Sequence, residues 1–258
     1  MRSDPASTGA ARRWVEFDAI DNVRDLGGLP VIGGGSTRFG VALRSSTLQQ
    51  ASAADAALLL GSLGLRTLID LRLPDEVVRE GYGLIGALPI DTVNLPIRKS
   101  PQSSLAARDL VPDKTRVDLA QLYGALLAGS AEEIVAAARL IADPDRRAVV
   151  FHCAAGKDRT GVLAAVLLDA VGVAPEAIAA DYALTNERMA RVRARLDSLG
   201  SYRGLPPADT GILAVDPAVM LSFLGELHRE HGGAAAWLLA RGLTATQLTL
   251  LRRALVTG

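Results

Sequence analysis

The hydrophobic positions of this chain fall into two patterns. Short apolar runs at residues 66–71, 91–95 and 148–151 have the length and composition of buried β-strands. Longer stretches between and after them repeat their apolar positions with the period of an amphipathic helix. Strands that alternate with helices predict an α/β fold, in which helices flank a central, mostly parallel sheet.

Capping residues, glycine and proline mark the ends of the predicted helices. The first helix is predicted over residues 52–64, from a serine cap to a glycine. A capping box at residues 130–133 predicts a second helix that ends at about residue 142. Further helices are predicted over 160–171, over 175–199 with proline in its first turn, over 217–230, and from a second capping box at 244–247 onward.

Three stretches lack a clear period. Residues 98–116 and 201–216 are rich in Ser, Pro, Gly or charge and are predicted to be loops, a helical lid or an insertion. Residues 1–14 lack the apolar core of a secretory signal and are interpreted as a disordered lead-in. The remaining residues 15–258 can bury one sizeable core, so we expect a single domain.

Charge and cysteine content limit the classes of function. The 28 basic and 28 acidic residues balance, so we expect no nucleic-acid partner. The longest apolar run, 161–173, contains Asp169 and is shorter than the roughly 20 residues of a transmembrane helix, so none is expected. A single cysteine excludes an internal disulfide. We expect a cytoplasmic protein, or one secreted without a conventional signal peptide.

Residues 152–160, His-Cys-Ala-Ala-Gly-Lys-Asp-Arg-Thr, connect an apolar strand to an apolar helix. The N–H groups of such a loop can converge on an anion, and the helix amino terminus adds about half a positive charge. The nucleotide-binding P-loop is excluded because Phe151 and Asp158 stand where it needs glycine and Ser or Thr. Small side chains let the backbone close around an oxyanion, and they belong to Ala154, Ala155 and Gly156.

Cys153 and Arg159 suit this anion loop to phosphoryl transfer. The pKa of a thiol falls beside a helix amino terminus and cations, which favours the nucleophilic thiolate. The guanidinium of Arg159 can donate two parallel hydrogen bonds to a phosphate. Attack would form a phosphocysteine that water hydrolyses, so no metal or other cofactor is expected. Three further roles are predicted: phosphate or inositol contact for Lys157, hydrogen bonding to the sulfur for Thr160, and loop orientation for His152.

The string His-Cys-x-x-Gly-x-x-Arg-Thr-Gly at 152–161 resembles the signature of protein tyrosine phosphatases and their dual-specificity relatives. Gly-Lys-Asp-Arg within it is similar to a bacterial and fungal branch that includes the mycobacterial tyrosine phosphatase B type. Segments 22–28, 43–45, 69–72 and 181–186 also resemble that branch. The resemblance implies a phosphatase fold and a phosphorylated protein or lipid substrate. Phosphotyrosine, phosphoserine, phosphothreonine and phosphoinositides are the implied substrates, with inorganic phosphate as product.

The general acid is the open point in this site. The chain lacks the Trp-Pro-Asp and Asn-Arg-Tyr motifs of the tyrosine-specific subgroup, which argues against strict tyrosine specificity. Leu122 and Tyr123 stand where that superfamily usually carries its acid. We predict that Asp158 is the acid, with a helix cap as its alternative role. Its rivals are Asp70, which could instead pair with Arg72, and Asp75 and Asp118.

Other functions of a cysteine anion loop remain as alternatives. A sulfurtransferase or an arsenate reductase also uses such a loop, but arsenate reduction usually needs further cysteines, and this chain has one. A non-catalytic phosphate-binding module would typically have lost Cys153 or Arg159. Upstream, the segment Asn22-Val23-Arg24-Asp25 with Gly27 and Gly28 is predicted to help shape the pocket, unless it forms a simple turn. The sequence therefore predicts a cysteine-dependent phosphatase.

Overall fold

A computed structural model describes residues 13–98, 118–202 and 204–257. The strands in these ranges are β1 (Arg24–Asp25), β2 (Ser36–Thr37), β3 (Ala42–Ser45), β4 (Thr67–Asp70), β5 (Asp91–Asn94), β6 (Val149–His152) and β7 (Val256–Thr257). Five of them form one sheet in the order β1-β3-β6-β4-β5, and β2 pairs with β7 separately. Neighbours in the large sheet are parallel except β1, which is antiparallel to β3. The predicted mostly parallel sheet is confirmed.

Helices cover both faces of the large sheet. They are α1 (Ala53–Gly61), α2 (Pro74–Glu80), α3 (Leu119–Gly129), α4 (Ala131–Ala142), α5 (Asp158–Ala170), α6 (Pro175–Ala183), α7 (Asn186–Asp197), α8 (Pro217–His231), α9 (Ala234–Ala240) and α10 (Ala245–Leu255). Short 3₁₀ turns lie at Gly83–Ala87, Pro144–Arg146, Gly200–Tyr202 and Gly211–Leu213. None of the helices in the described ranges is long and apolar enough to cross a membrane.

The strands send alternate side chains to opposite faces of the sheet, as strand geometry requires. Leu43, Leu68 and Val150 join a smaller apolar cluster with Leu59 of α1. Ile69, Val149 and Phe151 point the other way, into the main core with α3, α4 and α5. Because both faces are buried, the strands appear in the sequence as continuous apolar runs rather than as alternating ones.

The helix predicted over 175–199 is wrong in one respect, because the structure divides it into α6 and α7. Arg24 donates to the carbonyl of Asp181 at 2.9 Å and to Oγ1 of Thr185 at 3.1 Å. The N–H of Thr185 bonds the carbonyl of Tyr182 instead of continuing the helical ladder. A buried arginine from a distant strand thus bonds the backbone at the point where the predicted helix divides.

The capping box predicted at 130–133 is also wrong, although α4 begins there. Ser130 makes no side-chain cap to α4. Its hydroxyl bonds the backbone of Arg98, accepting from the N–H at 2.8 Å and donating to the carbonyl at 2.9 Å. The capping box at Thr244 and Gln247 is confirmed.

Residues 1–12 of the predicted lead-in lie outside the described residues, and its last two residues, Arg13 and Trp14, have defined contacts. Arg13 is 4% exposed and pairs with Asp181, and Trp14 bridges to Arg24. Helix α5 begins two residues earlier than predicted, which places Asp158 and Arg159 in its first turn. The predicted loop at 98–116 lies almost wholly outside the described residues, whereas the described part of 201–216 is irregular apart from short 3₁₀ turns.

Candidate active site

The predicted anion loop lies at the carboxyl edge of the sheet, where parallel α/β sheets build their sites. Ser45, Asp70 and His152 are register partners at the ends of three adjacent strands. The loop leaves β6 directly after His152 and enters α5 at Asp158. Cys153 is therefore the first residue beyond the strand, and only 3% of it is exposed.

The backbone N–H groups of residues 154–159 are the donors of the predicted anion loop. Within the described ranges, none of them has a protein acceptor. Most of this backbone is buried, and buried N–H groups rarely stay unpaired without a functional reason. The start of α5 adds the positive end of a helix dipole. The loop can therefore receive the oxygens of a phosphoryl group.

The carbonyl groups of the loop are held from behind by side chains near the sheet. Nδ2 of Asn22 donates to the carbonyls of Ala155 at 3.0 Å and Gly156 at 3.2 Å. Arg44 donates to the carbonyl of Gly156 at 2.9 Å. Gly156 has φ +69, and a Cβ there would approach the carbonyl of Ser45 to 2.5 Å. Glycine is thus required at this position, and the carbonyls turn away from the anion site.

A buried carboxylate anchors this support from below. Asp181 on α6 pairs with Arg44 at 2.8 Å, with Arg24 at 3.1 Å and with Arg13. Burial alone would raise the pKa of Asp181, but the three arginines hold it below its ordinary range. Arg24 also donates to Oδ1 of Asn22 at 2.5 Å. The predicted role of Arg24 in shaping the pocket is therefore an indirect one, through Asn22.

The guanidinium of Arg159 is fixed by α2. Its two terminal nitrogens lie 2.5 and 3.0 Å from the two carboxylate oxygens of Glu76. Glu76 also accepts from the hydroxyl of Tyr202 at 2.7 Å and from the N–H of Leu73 at 2.8 Å. Burial would lower the pKa of Arg159, but Glu76 and the charge of a Cys153 thiolate raise it above its ordinary value. Arg159 thus stays charged near the sulfur.

Asp158 is the carboxylate that the structure brings to the loop. Its Oδ1 accepts from the hydroxyl of Tyr123 at 2.7 Å and forms an ion pair with Nζ of Lys157 at 2.8 Å. The Asp158 side chain is 22% exposed, whereas that of Lys157 is fully buried. Nζ of Lys157 also donates to the carbonyl of Ile212 at 2.7 Å. The Lys157 ammonium is therefore engaged by the protein, which does not favour the predicted phosphate or inositol contact.

The three rival carboxylates have other partners or lie outside the loop. Asp70 is fully buried and receives a bidentate bond from Arg72, the alternative considered for it. Asp118 caps α3 by accepting from the N–H of Gln121. Asp75 is exposed in the first turn of α2.

His152 ends β6 directly before Cys153, and its role in orienting the loop stays a prediction. Its Nδ1 lies 3.1 Å from the carbonyl of Cys153, and since a carbonyl only accepts, Nδ1 carries the hydrogen. Burial lowers the pKa of His152, so the neutral ring is favoured. The hydroxyl of Thr160 is buried and has no hydrogen-bond partner within the described residues, so the predicted bond to sulfur is not present.

Asp25 does not reach the pocket. It accepts from the N–H groups of Gly27 and Gly40 at 2.7 Å each, which is the simple-turn alternative. Among the described residues, no group of three or more His, Cys, Asp or Glu side chains could hold a metal ion.

Four residues of the site were given no role from the sequence: Arg44 as a loop support, Glu76, Tyr123 as a partner of Asp158, and Asp181. The last had a detectable signal. Asp181 follows Ile178 and precedes Tyr182 on the buried face of a helix, where a charge requires a partner. Glu76 gave no comparable signal because its partner is 83 residues away.

Comparisons with known proteins point to one family. A sequence profile described as "Tyrosine phosphatase family" matches residues 15–257. A protein of Cupriavidus necator is 34% identical over 211 residues, covering 76% of this chain and 72% of that protein. That protein is named "Putative tyrosine-protein phosphatase". A tyrosine-protein phosphatase of Nostoc commune is 28% identical over 200 residues, covering 75% and 67%.

Two further similarities are more limited. The triple specificity protein phosphatase PtpB of Mycobacterium tuberculosis is 44% identical over 57 residues, which is 22% of this chain and 21% of that protein. The crystal structure of TpbA from P. aeruginosa overlaps at a TM-score of 0.32 with 18% identity, covering 71% of this chain and 86% of that one. An overlap this loose adds nothing to the assignment.

Proposed function

The chain belongs to the tyrosine phosphatase family, and on that basis we propose that it hydrolyses phosphotyrosine through a phosphocysteine intermediate on Cys153. One observation carries the proposal. The only cysteine of the chain opens a loop whose N–H groups at 154–159 have no protein acceptor in the described ranges, beside an arginine fixed by Glu76.

In the first step, the Cys153 thiolate attacks phosphorus and the bond from phosphorus to the tyrosyl oxygen breaks. The electron pair of that bond goes to the leaving oxygen, which takes a proton from Asp158. The loop N–H groups and Arg159 stabilise the charge on the equatorial oxygens. These donors neutralise the transferring group, so the proposed mechanism needs no metal.

In the second step, water attacks the phosphocysteine. Asp158, now a carboxylate, accepts a proton from the water as the new phosphorus–oxygen bond forms. The sulfur–phosphorus bond breaks, its electron pair returns to Cys153, and inorganic phosphate leaves. Proton and electron pair are thereby restored to their starting positions.

The proposal includes phosphoserine, phosphothreonine and phosphoinositides as further substrates. The support comes from the sequence, which lacks the Asn-Arg-Tyr motif used to grip phosphotyrosine. Aryl phosphates remain the preferred class, because a phenol is a better leaving group than an alkyl alcohol.

Turnover of an aryl phosphate by the wild type and by Cys153→Ser tests the nucleophile. The variant should lose turnover but still bind vanadate, because the N–H groups and Arg159 do not depend on sulfur. Arg159→Lys should lose most activity, since lysine cannot donate the two parallel bonds. The wild type should keep its rate in EDTA. Substantial turnover by Cys153→Ser would overturn the proposal.

A further inference from the structure

Two buried tyrosines lie behind the Asp158 carboxylate. Tyr123 on α3 and Tyr182 on α6 are both fully buried, with hydroxyl oxygens 2.6 Å apart. Their rings meet edge to face, with centroids 6.1 Å apart and planes at 80°. Phe223 packs against Tyr123 in the same way, at 6.1 Å and 86°. The position of the Tyr123 hydroxyl is therefore set by packing from two helices.

The direction of the hydrogen bonds follows from the number of hydrogens. An ionised Asp158 only accepts, so the single hydrogen of the Tyr123 hydroxyl points to Oδ1. Tyr182 must then donate its own hydrogen to the oxygen of Tyr123. Burial, and then the charge of Asp158, raise the pKa of Tyr123 well above its ordinary value, so it remains a donor.

The hydroxyl of Tyr123 and the ammonium of Lys157 both contact the same oxygen of Asp158. Oδ1 accepts from the Tyr123 hydroxyl at 2.7 Å and forms an ion pair with the Lys157 ammonium at 2.8 Å, so a proton on Oδ1 would meet both a hydrogen-bond donor and a positive charge. A proton taken up by Asp158 must then reside on Oδ2. The side chain is 22% exposed, so it retains access to the site while Tyr123 and Lys157 are fully buried.

We propose that Tyr123 is a positioning residue, which directs the catalytic proton of Asp158 to the oxygen that faces the leaving group. The inference rests on the proposed function, because it requires Asp158 to be the acid. Tyr182 supports it by fixing the Tyr123 hydroxyl. Neither tyrosine touches the substrate.

Hydrolysis of a phosphotyrosine peptide and of a fluorinated aryl phosphate by Tyr123→Phe tests the proposal. The ring and its packing remain, and only the hydroxyl is lost. We expect kcat for the peptide to fall about tenfold and kcat for the activated phosphate to change less than about twofold, because only the poor leaving group needs the acid. KM for both substrates should stay unchanged.

Two matched variants separate positioning from general damage. Tyr182→Phe keeps the bond from Tyr123 to Asp158, so its loss on the peptide should be smaller than that of Tyr123→Phe. The double variant Tyr123→Phe/Tyr182→Phe removes both hydroxyls and leaves no buried donor unpaired. It should fold as the wild type does and show the same substrate dependence as Tyr123→Phe, which keeps the test valid if the single variant is unstable.

A double-mutant cycle with Asp158→Asn decides the outcome. In the Asp158→Asn background, Tyr123→Phe should cause no further loss on the peptide, because the proton it positions is gone. An equal loss in both backgrounds, or equal losses on both substrates, would overturn the positioning role. If Asp158→Asn itself shows no leaving-group dependence, the proposed acid fails, and turnover by Cys153→Ser tests the nucleophile separately.

Discussion

The two terminal nitrogens of Arg159 donate to the two carboxylate oxygens of Glu76, at 2.5 and 3.0 Å. Glu76 lies on a helix 83 residues earlier in the chain, and the hydroxyl of Tyr202 holds the same carboxylate. The orientation of Arg159, the proposed phosphate-binding arginine, therefore depends on an acidic residue from outside the anion loop.

Replacing Glu76 by Gln should lower kcat/KM by about tenfold to 10²-fold, because a misplaced catalytic group costs this much even at about 1 Å. Glutamine presents an amide donor to Arg159 where the carboxylate presents a second acceptor. Steady-state kinetics on an aryl phosphate measure the loss. Glu80→Gln is the matched control, because Glu80 accepts from the N–H of Ser201 and makes no bond to Arg159. Equal losses in both variants would contradict the role of Glu76.

Asp158→Asn should slow phosphotyrosine hydrolysis by up to about 10²-fold to 10⁴-fold and an activated fluorinated aryl phosphate far less. The alkaline limb of the pH profile should flatten, because that limb reports loss of the acid's proton. Asp75→Asn is a control, since Asp75 is exposed on α2. If both substrates slow alike and the limb persists, Asp158 only fixes the loop.

Lys157→Met should reduce hydrolysis of a phosphotyrosine peptide and of a phosphoinositide by the same factor. The ammonium bonds Ile212 and Asp158, so its loss affects the acid rather than one class of substrate. Methionine keeps the buried stem and removes only the charge. Rates measured in parallel on phosphoinositide vesicles and on the phosphotyrosine peptide test this prediction. A much larger loss on the lipid would restore the direct inositol contact that the sequence predicted.

Asp181→Asn should lower the free energy of unfolding at pH 7 by about 3–5 kcal/mol, the usual effect of breaking a buried ion pair. The folded pKa of Asp181 lies below its ordinary value of 3.8. The stabilisation is therefore complete above about pH 4 and is lost as the pH falls towards the folded pKa. Urea unfolding of both proteins should show a constant difference from pH 7 to 5 that shrinks below pH 4 or so.

Asp197→Asn provides the comparison for this measurement. Asp197 pairs with Arg193 at the surface at 2.7 Å, and such pairs contribute about 0–1 kcal/mol. A difference between wild type and Asp181→Asn that stays constant into strong acid would contradict the assigned pKa direction.

The elements predicted best are those whose signals are local in the sequence. The strand and helix around Cys153 follow from apolar runs, and α10 follows from the capping box at Thr244. The break between α6 and α7 depends on Arg24, which is 157 residues from Asp181, so no local pattern contains it.

The residues of the candidate site also fall into those with a local signal in the sequence and those without one. The placement of Cys153 and Arg159 in one loop could be predicted from the sequence, because the two residues are only six positions apart. The bond from Tyr123 to Asp158 spans 35 residues and two helices, so it depends on how α3 packs against α5. In the sequence, Tyr123 only occupies a position where related phosphatases usually carry their acid. In the structure, its hydroxyl donates to Asp158, the predicted acid.

The supports of the loop carbonyls also bear on product release. Asn22 and Arg44 orient the peptide groups at Ala155 and Gly156 through the protein's own contacts. A pocket ordered in this way does not distinguish phosphate on a tyrosine from free phosphate, because both present the same oxygens to the same N–H groups. Inorganic phosphate should therefore compete with substrate, and turnover should slow as product accumulates.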